Sequence, residues 1–113
     1  MSTPPTASER LRALRAETEG RQTALRAQLA GIVDTASASS GDDEHDPEGQ
    51  TVAYDRAQTQ ALLEGANHDL DEIEHALARV DAGTYGVCEV CGQPIAPERL
   101  EARPAARRCI RHA

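Results

Sequence analysis

The sequence predicts a mainly α-helical protein, in which an antiparallel coiled-coil hairpin with an acidic tip precedes a small C-terminal module built around cysteines. Three observations lead to this class. Two long segments rich in helix-forming residues carry apolar side chains at helical spacing. One acidic loop, rich in Ser and Gly, separates the two segments. All three cysteines of the chain follow residue 87.

The composition limits the size of the core. The 113 residues include no Phe or Trp, two Tyr and one Met. The apolar residues are mainly Ala, Leu, Val and Ile, which suit thin seams between helices. No stretch approaches the roughly 18 apolar residues of a membrane span, and the N-terminus lacks the apolar segment of a signal peptide. We therefore expect a cytoplasmic protein without a membrane anchor, in which the cysteines stay reduced.

The first predicted helix covers about residues 8–34. Ser8 can cap its N-terminus, and the residues that follow are mostly good helix formers. Thr18 and Gln22 make the middle of its apolar stripe polar. The apolar positions of the stripe are Leu11, Leu14, Leu25, Leu29 and Ile32.

The second predicted helix has the clearest coiled-coil pattern. Its seam positions alternate spacings of three and four, which is typical of a heptad repeat. Gly83 suits the position that follows a helix C-terminus. The seam positions are Val52, Arg56, Thr59, Leu63, Ala66, Leu70, Ile73, Leu77 and Val80.

The two helices are predicted to form a hairpin over residues 8–83, after a flexible tail of residues 1–7. Folding back within one chain buries both stripes, with residues 35–50 as the loop at the tip. Pairing with the helices of another chain would bury the same stripes. Of these two arrangements we expect the intramolecular hairpin, and therefore a monomer.

Charge is unevenly distributed along the chain. The formal net charge is -7, and residues 34–83 carry 13 acidic residues against two Arg. Such a chain is poorly suited to bind free nucleic acid, which requires a basic face, so no sequence-specific DNA binding is expected. The arginines of the C-terminal module are expected to pair with helix acids or to contact a partner; they are Arg99, Arg103, Arg107, Arg108 and Arg111.

Residues 84–113 are predicted to form a zinc finger. Cys88, Cys91, Cys109 and His112 have the spacing C-x2-C-x17-C-x2-H, which suits one tetrahedral Zn²⁺ bound by two ligand pairs. Three thiolates and one imidazole leave no open position, so the ion is expected to be structural and the protein not an enzyme. His112 could instead be a solvated terminal residue, which would leave a three-cysteine site.

The segment "GTYGVCEVCGQPIAPERLEARPAARRCI" resembles the zinc finger of the DksA/TraR family. The resemblance rests on the Tyr-Gly-x-Cys start, the Ile-x-x-x-Arg-Leu-Glu-Ala-Arg-Pro middle and the Cys-Ile that follows. The preceding hairpin with an acidic loop fits the family too. Where the family has a fourth cysteine, this chain has His112.

The resemblance implies a transcription regulator that binds bacterial RNA polymerase through its secondary channel, with acidic tip residues acting near the active site. The family pattern at the tip is D-x-x-D-x-A; this chain has Asp43-x-x-Asp46 without the Ala. The candidate tip residues are Asp42, Asp43, Glu44, Asp46 and Glu48. The alternative is a coiled-coil protein, stabilised by zinc, that binds some other protein. Binding to core polymerase distinguishes these two functions.

Overall fold

The protein is described here by a computed structural model, which covers residues 3–39 and 47–113. Its elements in chain order are α1 (Ala7–Ser39), α2 (Pro47–Ala82), α3 (Pro97–Ala102) and a 3-10 turn at Ile110–His112. Within these ranges the single β pairing is an antiparallel bridge between Val87 and Pro94. None of the described helices is both long and apolar enough to cross a membrane. The mainly α-helical class is confirmed.

Both long helices extend further into the predicted loop 35–50 than the sequence indicated. α1 continues to Ser39 and α2 begins at Pro47. The alternating Ala and Ser residues at the end of α1 are compatible with a helix, and Pro is well tolerated in a first helical turn. Glu48 therefore belongs to the first turn of α2. The other predicted tip residues lie outside the described residues; they are Asp42, Asp43, Glu44 and Asp46.

The N-terminal cap of α1 is Thr6 and not the predicted Ser8, which lies inside the helix. The Glu9 backbone N–H donates to Thr6 Oγ1 at 3.1 Å. The spacing of Thr6 and Glu9 matches the capping box, in which a hydroxyl satisfies an N–H group that has no partner within the helix. The sequence offered two hydroxyl residues two positions apart, and the register of the first helical turn selects between them.

The C-terminus of α2 is closed by Gly83, as predicted. Gly83 has φ 77°, a left-handed conformation that costs glycine little. The N–H groups of Gly83 and Thr84 donate to the carbonyl oxygens of Val80 and Arg79 at 3.2 and 2.9 Å. This pair of bonds is the Schellman motif, and it turns the chain from α2 into the cysteine-bearing module.

The described chain divides into two units, and the first comprises Met1–Glu17 with Asp69–Ala113. Its core is formed by Leu11, Ile73 and Ala76, all of which are almost fully buried. Half-buried residues of both helices and of the cysteine-bearing module pack against this core; they are Leu14, Leu77, Val80, Tyr85 and Ala105. One small apolar cluster therefore holds the start of α1, the end of α2 and the module together.

The second unit, Thr18–His68, has a more polar seam. Leu25 and Ala66 are buried, but so are Thr18 and Thr59. The side-chain amide of Gln22 donates to Asn67 Oδ1 at 2.6 Å, which joins α1 and α2 across the seam. The polar middle of the first stripe that the sequence indicated is therefore part of the helix interface.

The predicted seam and the intramolecular hairpin are confirmed. All nine predicted seam positions of α2 are buried or half-buried, including Arg56. In each unit α1 packs against α2 of the same chain: Arg15 Nη1 lies 3.1 Å from Glu74 Oε1 in the first unit, and the Gln22–Asn67 bond has the same role in the second.

Truncating the center of the apolar cluster is expected to destabilise the protein. Ile73→Ala removes a side chain that is only 1% exposed, and such a cavity costs about 3 kcal/mol of unfolding free energy. Chemical denaturation followed by circular dichroism measures the change. The matched control is Leu62→Ala, because Leu62 is 56% exposed and its loss should change stability by less than about 0.5 kcal/mol. Equal effects of the two changes would contradict the described core.

Two glycines should respond to Ala in opposite directions. Gly65 lies inside α2 and a Cβ there would have no neighbouring atom within 4 Å. Gly65→Ala is therefore expected to raise the free energy of unfolding by about 0.5–1 kcal/mol. Gly83→Ala should lower it by about 1 kcal/mol, because an L-residue is strained at φ 77°. The same denaturation experiment measures both, and stabilisation by Gly83→Ala would contradict the described helix end.

Candidate metal centre

The first cysteine pair lies in a tight turn held by backbone hydrogen bonds. The Cys88 N–H donates to the Gln93 carbonyl at 2.8 Å, and the Gly92 N–H donates to the Cys88 carbonyl at 2.9 Å. Gly86 and Gly92 have φ 81° and 73°, which explains why glycine occupies both positions. This geometry directs the side chains of Cys88 and Cys91 toward a common point.

The second ligand pair follows α3. The segment passes through Pro104, whose carbonyl oxygen accepts a hydrogen bond from the Tyr85 hydroxyl at 2.8 Å. Cys109 then leads into the 3-10 turn, where the His112 N–H donates to the Cys109 carbonyl at 3.0 Å. That turn places the His112 ring beside the Cys109 sulfur.

The four predicted ligand residues come together in the fold. Their ligand atoms all lie within 4.8 Å of one another. Cys91 Sγ is 3.8 Å from Cys109 Sγ, and His112 Nδ1 is 3.2 Å from Cys109 Sγ and 3.9 Å from Cys88 Sγ. A tetrahedral zinc site with ordinary bond lengths has a sulfur–sulfur separation of about 3.8 Å and a sulfur–nitrogen separation of about 3.6 Å. The donor set and its spacing therefore fit one zinc ion.

Neighbouring groups shift the pKa values of all four side chains. A backbone hydrogen bond from Cys109 is the main cause that lowers the pKa of the Cys88 thiol to about 6. The Cys109–His112 hydrogen bond lowers the pKa of Cys109 and raises that of His112. At Cys91 a backbone hydrogen bond from Gln93 favours the thiolate, but desolvation and the neighbouring sulfurs outweigh it and raise the pKa. Two of the three thiols ionise more readily than a free cysteine, which favours binding of a cation.

The other described histidines are not part of this cluster. His68 and His75 are both exposed residues of α2. In the part of the chain that the structure describes, the group formed by Cys88, Cys91, Cys109 and His112 is the one set of three or more possible metal ligands.

The arginines of the module have partners that the sequence did not specify individually. Arg107 Nε lies 3.4 Å from Glu72 Oε2 of α2, as expected for an arginine that pairs with a helix acid. Arg108 Nε instead lies 2.9 Å from Glu89 Oε1, within the module. These partners are separated by 35 and 19 positions in sequence, so no local pattern could identify them.

A helical hairpin followed by a small finger with a structural zinc site is the class of protein that this fold and donor set define. Residues 83–111 match the family model of the prokaryotic dksA/traR C4-type zinc finger. The match ends one residue before His112. Residues 83–111 match the DksA/TraR zinc-finger family, and the resemblance predicted from the sequence is confirmed.

Individual relatives match parts of this chain. The chain is 43% identical over 72 residues to general stress protein 16O of Bacillus subtilis, which covers 64% of this chain and 44% of that protein. It is 54% identical over 37 residues to the RNA polymerase-binding transcription factor DksA of Caulobacter vibrioides, covering 33% of this chain and 26% of that protein. The chain thus spans less than half the length of these curated relatives.

A solved structure extends the likeness to the hairpin. The transcription factor DksA2 from Pseudomonas aeruginosa superimposes with a TM-score of 0.54 at 27% sequence identity. The superposition covers 90% of this chain and 78% of that chain. The likeness therefore includes α1 and α2 as well as the zinc finger.

The metal content can be measured directly. We expect one zinc ion per purified chain, and Cys88→Ser should abolish tight binding and unfold residues 84–113 while much of the α1–α2 helicity remains. Elemental analysis and circular dichroism test both statements. Clearly less than one zinc per parent chain would contradict the site.

His112 is expected to be the fourth ligand. His112→Ala should weaken zinc binding at least tenfold, about 1.4 kcal/mol, because one donor atom of the tetrahedron is lost. The matched control is His75→Ala, which removes an exposed histidine outside the cluster. Competition with a chromophoric chelator measures the affinity, and an unchanged value for His112→Ala would assign the site to the three cysteines alone.

Proposed function

We propose that this protein is a regulator of bacterial transcription, without enzymatic activity, that binds RNA polymerase through the secondary channel of the polymerase. The likeness of both the hairpin and the finger to the transcription factor DksA2, over 90% of this chain, carries the proposal. The Caulobacter relative is an RNA polymerase-binding transcription factor, which supports the choice of partner.

The zinc ligands in this proposal are Cys88, Cys91, Cys109 and His112. Their separations support the assignment, since the ligand atoms lie within 4.8 Å of one another. The set has no position left for a substrate or a reacting water, so the role of the site is structural. Bound zinc supplies folding free energy, roughly 10–16 kcal/mol in small zinc peptides. The finger needs that contribution, because only Cys88 and Ile95 are buried apolar residues among the described positions 84–113.

The acidic residues between the helices are proposed to act near the polymerase active site; they are Asp42, Asp43, Glu44, Asp46 and Glu48. Negative charge exerts a large effect where the local dielectric is low and a divalent ion or basic groups are present. No Lys or Arg occurs between residues 34 and 50, so the charge of this segment is not compensated locally. Asp43 and Asp46 have the spacing of the acidic pair of the family.

The partner is proposed to be the polymerase itself and not DNA. The net charge of -7 opposes binding to phosphates, and a basic face would be needed to overcome it. We further propose that the chain acts in the cytoplasm as a monomer, because both helices bury their seams within one chain.

Binding to polymerase is tested with purified components. The protein should be retained by immobilised core polymerase from a bacterium with a closely related homologue, and another secondary-channel factor should displace it. Retention that such a competitor does not reduce would place the binding surface elsewhere on the polymerase. The absence of any retention would favour a zinc-stapled coiled coil that binds a different protein.

The acidic residues are expected to contribute to regulation more than to affinity. Neutralising Asp42, Asp43, Glu44 and Asp46 together, to Asn or Gln, should keep polymerase binding within about tenfold, or 1.4 kcal/mol. The same variant should lose its effect on transcription in vitro, because the charge that acts at the active site has been removed.

A control variant tests whether the position of the neutralised acidic residues matters, beyond the change in net charge. Neutralising the exposed α2 residues Asp55, Glu64, Asp71 and Asp81 makes the same change in net charge at other positions. This control should regulate transcription as the parent does. Equal regulation by the parent and by the variant at residues 42–46 would mean that this segment only connects the helices.

A further inference from the structure

Two charged residues that are not ligands form a contact between the two ligand pairs of the finger. Glu89 directly follows Cys88, and Arg108 directly precedes Cys109. Arg108 Nε donates to Glu89 Oε1 at 2.9 Å, and the Glu89 N–H donates to the Arg107 carbonyl at 3.0 Å. Glu89 is therefore hydrogen-bonded to Arg108 through its side chain and to Arg107 through its backbone N–H. These two arginines directly precede the third ligand.

Further contacts fix the orientation of this pair. Arg99, at the third position of α3, donates from Nε to the Arg108 carbonyl oxygen at 2.9 Å. Arg107 Nε lies 3.7 Å from Glu89 Oε1 and 3.4 Å from Glu72 Oε2. The carboxylate of Glu89 therefore faces two guanidinium groups, and one of these also contacts α2.

We propose that Glu89 and Arg108 are positioning residues for the metal, which hold the second ligand pair against the first and thereby slow the release of zinc. The proposal rests on the zinc ligands assigned above. Closing a segment of 17 residues between two ligand pairs costs chain entropy. Contacts that already hold the ends of the segment together reduce that cost, and groups just outside a metal site tune its affinity in this way.

The surroundings distinguish this pair from an ordinary surface ion pair. Isolated exposed pairs contribute little, and the side chains of Glu89 and Arg108 are 38% and 49% exposed. Here, however, both partners are also bound through their backbones, at the Glu89 N–H and the Arg108 carbonyl. Less side-chain and backbone freedom remains to be lost when the metal binds.

The test is the rate of zinc release into excess chelator, measured on the full chain. Glu89→Gln and Arg108→Gln should each speed release about fivefold, about 1 kcal/mol. The double variant should be no faster than the single variants, because either change already breaks the same contact. Glu89→Asp keeps the charge but shortens the side chain, and it should fall between the parent and Glu89→Gln. The difference in release rate between each variant and the parent should become smaller at high salt.

Matched controls use the same finger. Glu101 and Arg103 are exposed and form no ion pair with any residue that the structure describes, so Glu101→Gln and Arg103→Gln should release zinc at the parent rate. Circular dichroism confirms that each variant retains its helices. Parent-like release from Arg108→Gln, additive effects in the double variant, or equal acceleration by the control changes would each overturn the proposal. The assay needs no polymerase, so its outcome is independent of the proposed regulatory function.

Discussion

The finger depends on the convergence of four ligand atoms from two short turns that are 17 residues apart in sequence. Few apolar side chains are available to hold those turns together, since Cys88 and Ile95 are the buried apolar residues in that part of the described chain. Glycines at positive φ let the first turn close, and a 3-10 turn brings His112 beside Cys109. The four ligand atoms that result lie within 4.8 Å of one another, which suits one tetrahedral zinc ion.

The same module also contributes to the stability of the first unit. Tyr85 and Ala105 pack against the cluster formed by Leu11, Ile73 and Ala76. Arg107 adds an ion pair with Glu72 of α2, and Arg79 Nη2 lies 3.5 Å from the Ala105 carbonyl oxygen. Metal binding, finger folding and the packing of the helix ends are therefore linked, because the same segments take part in all three.

In the seam of the second unit, buried polar side chains replace apolar ones that would add hydrophobic stabilisation. Thr18 and Thr59 are each 2% exposed, at positions where a typical coiled coil has Leu or Ile. The Gln22–Asn67 hydrogen bond joins the side chains of α1 and α2 at the exposed edge of this seam. Buried polar residues such as Thr18 and Thr59 lower stability but disfavour alternative registers and partners, which suits a hairpin formed within a single chain.

The sequence by itself determined the two helices, the seam of α2, the glycine at its end and the four possible metal ligands that the fold brings together. These features follow local rules of periodicity, turn conformation and ligand spacing, which a single chain displays directly. Only the tertiary structure decided that Thr6 caps α1, that α1 continues to Ser39 and that α2 starts at Pro47. Intrinsic propensities around those positions are too similar to select one helix end. It also decided that Arg108 pairs with Glu89 and Arg107 with Glu72, because contacts between residues 19 and 35 positions apart depend on how the finger folds against α2.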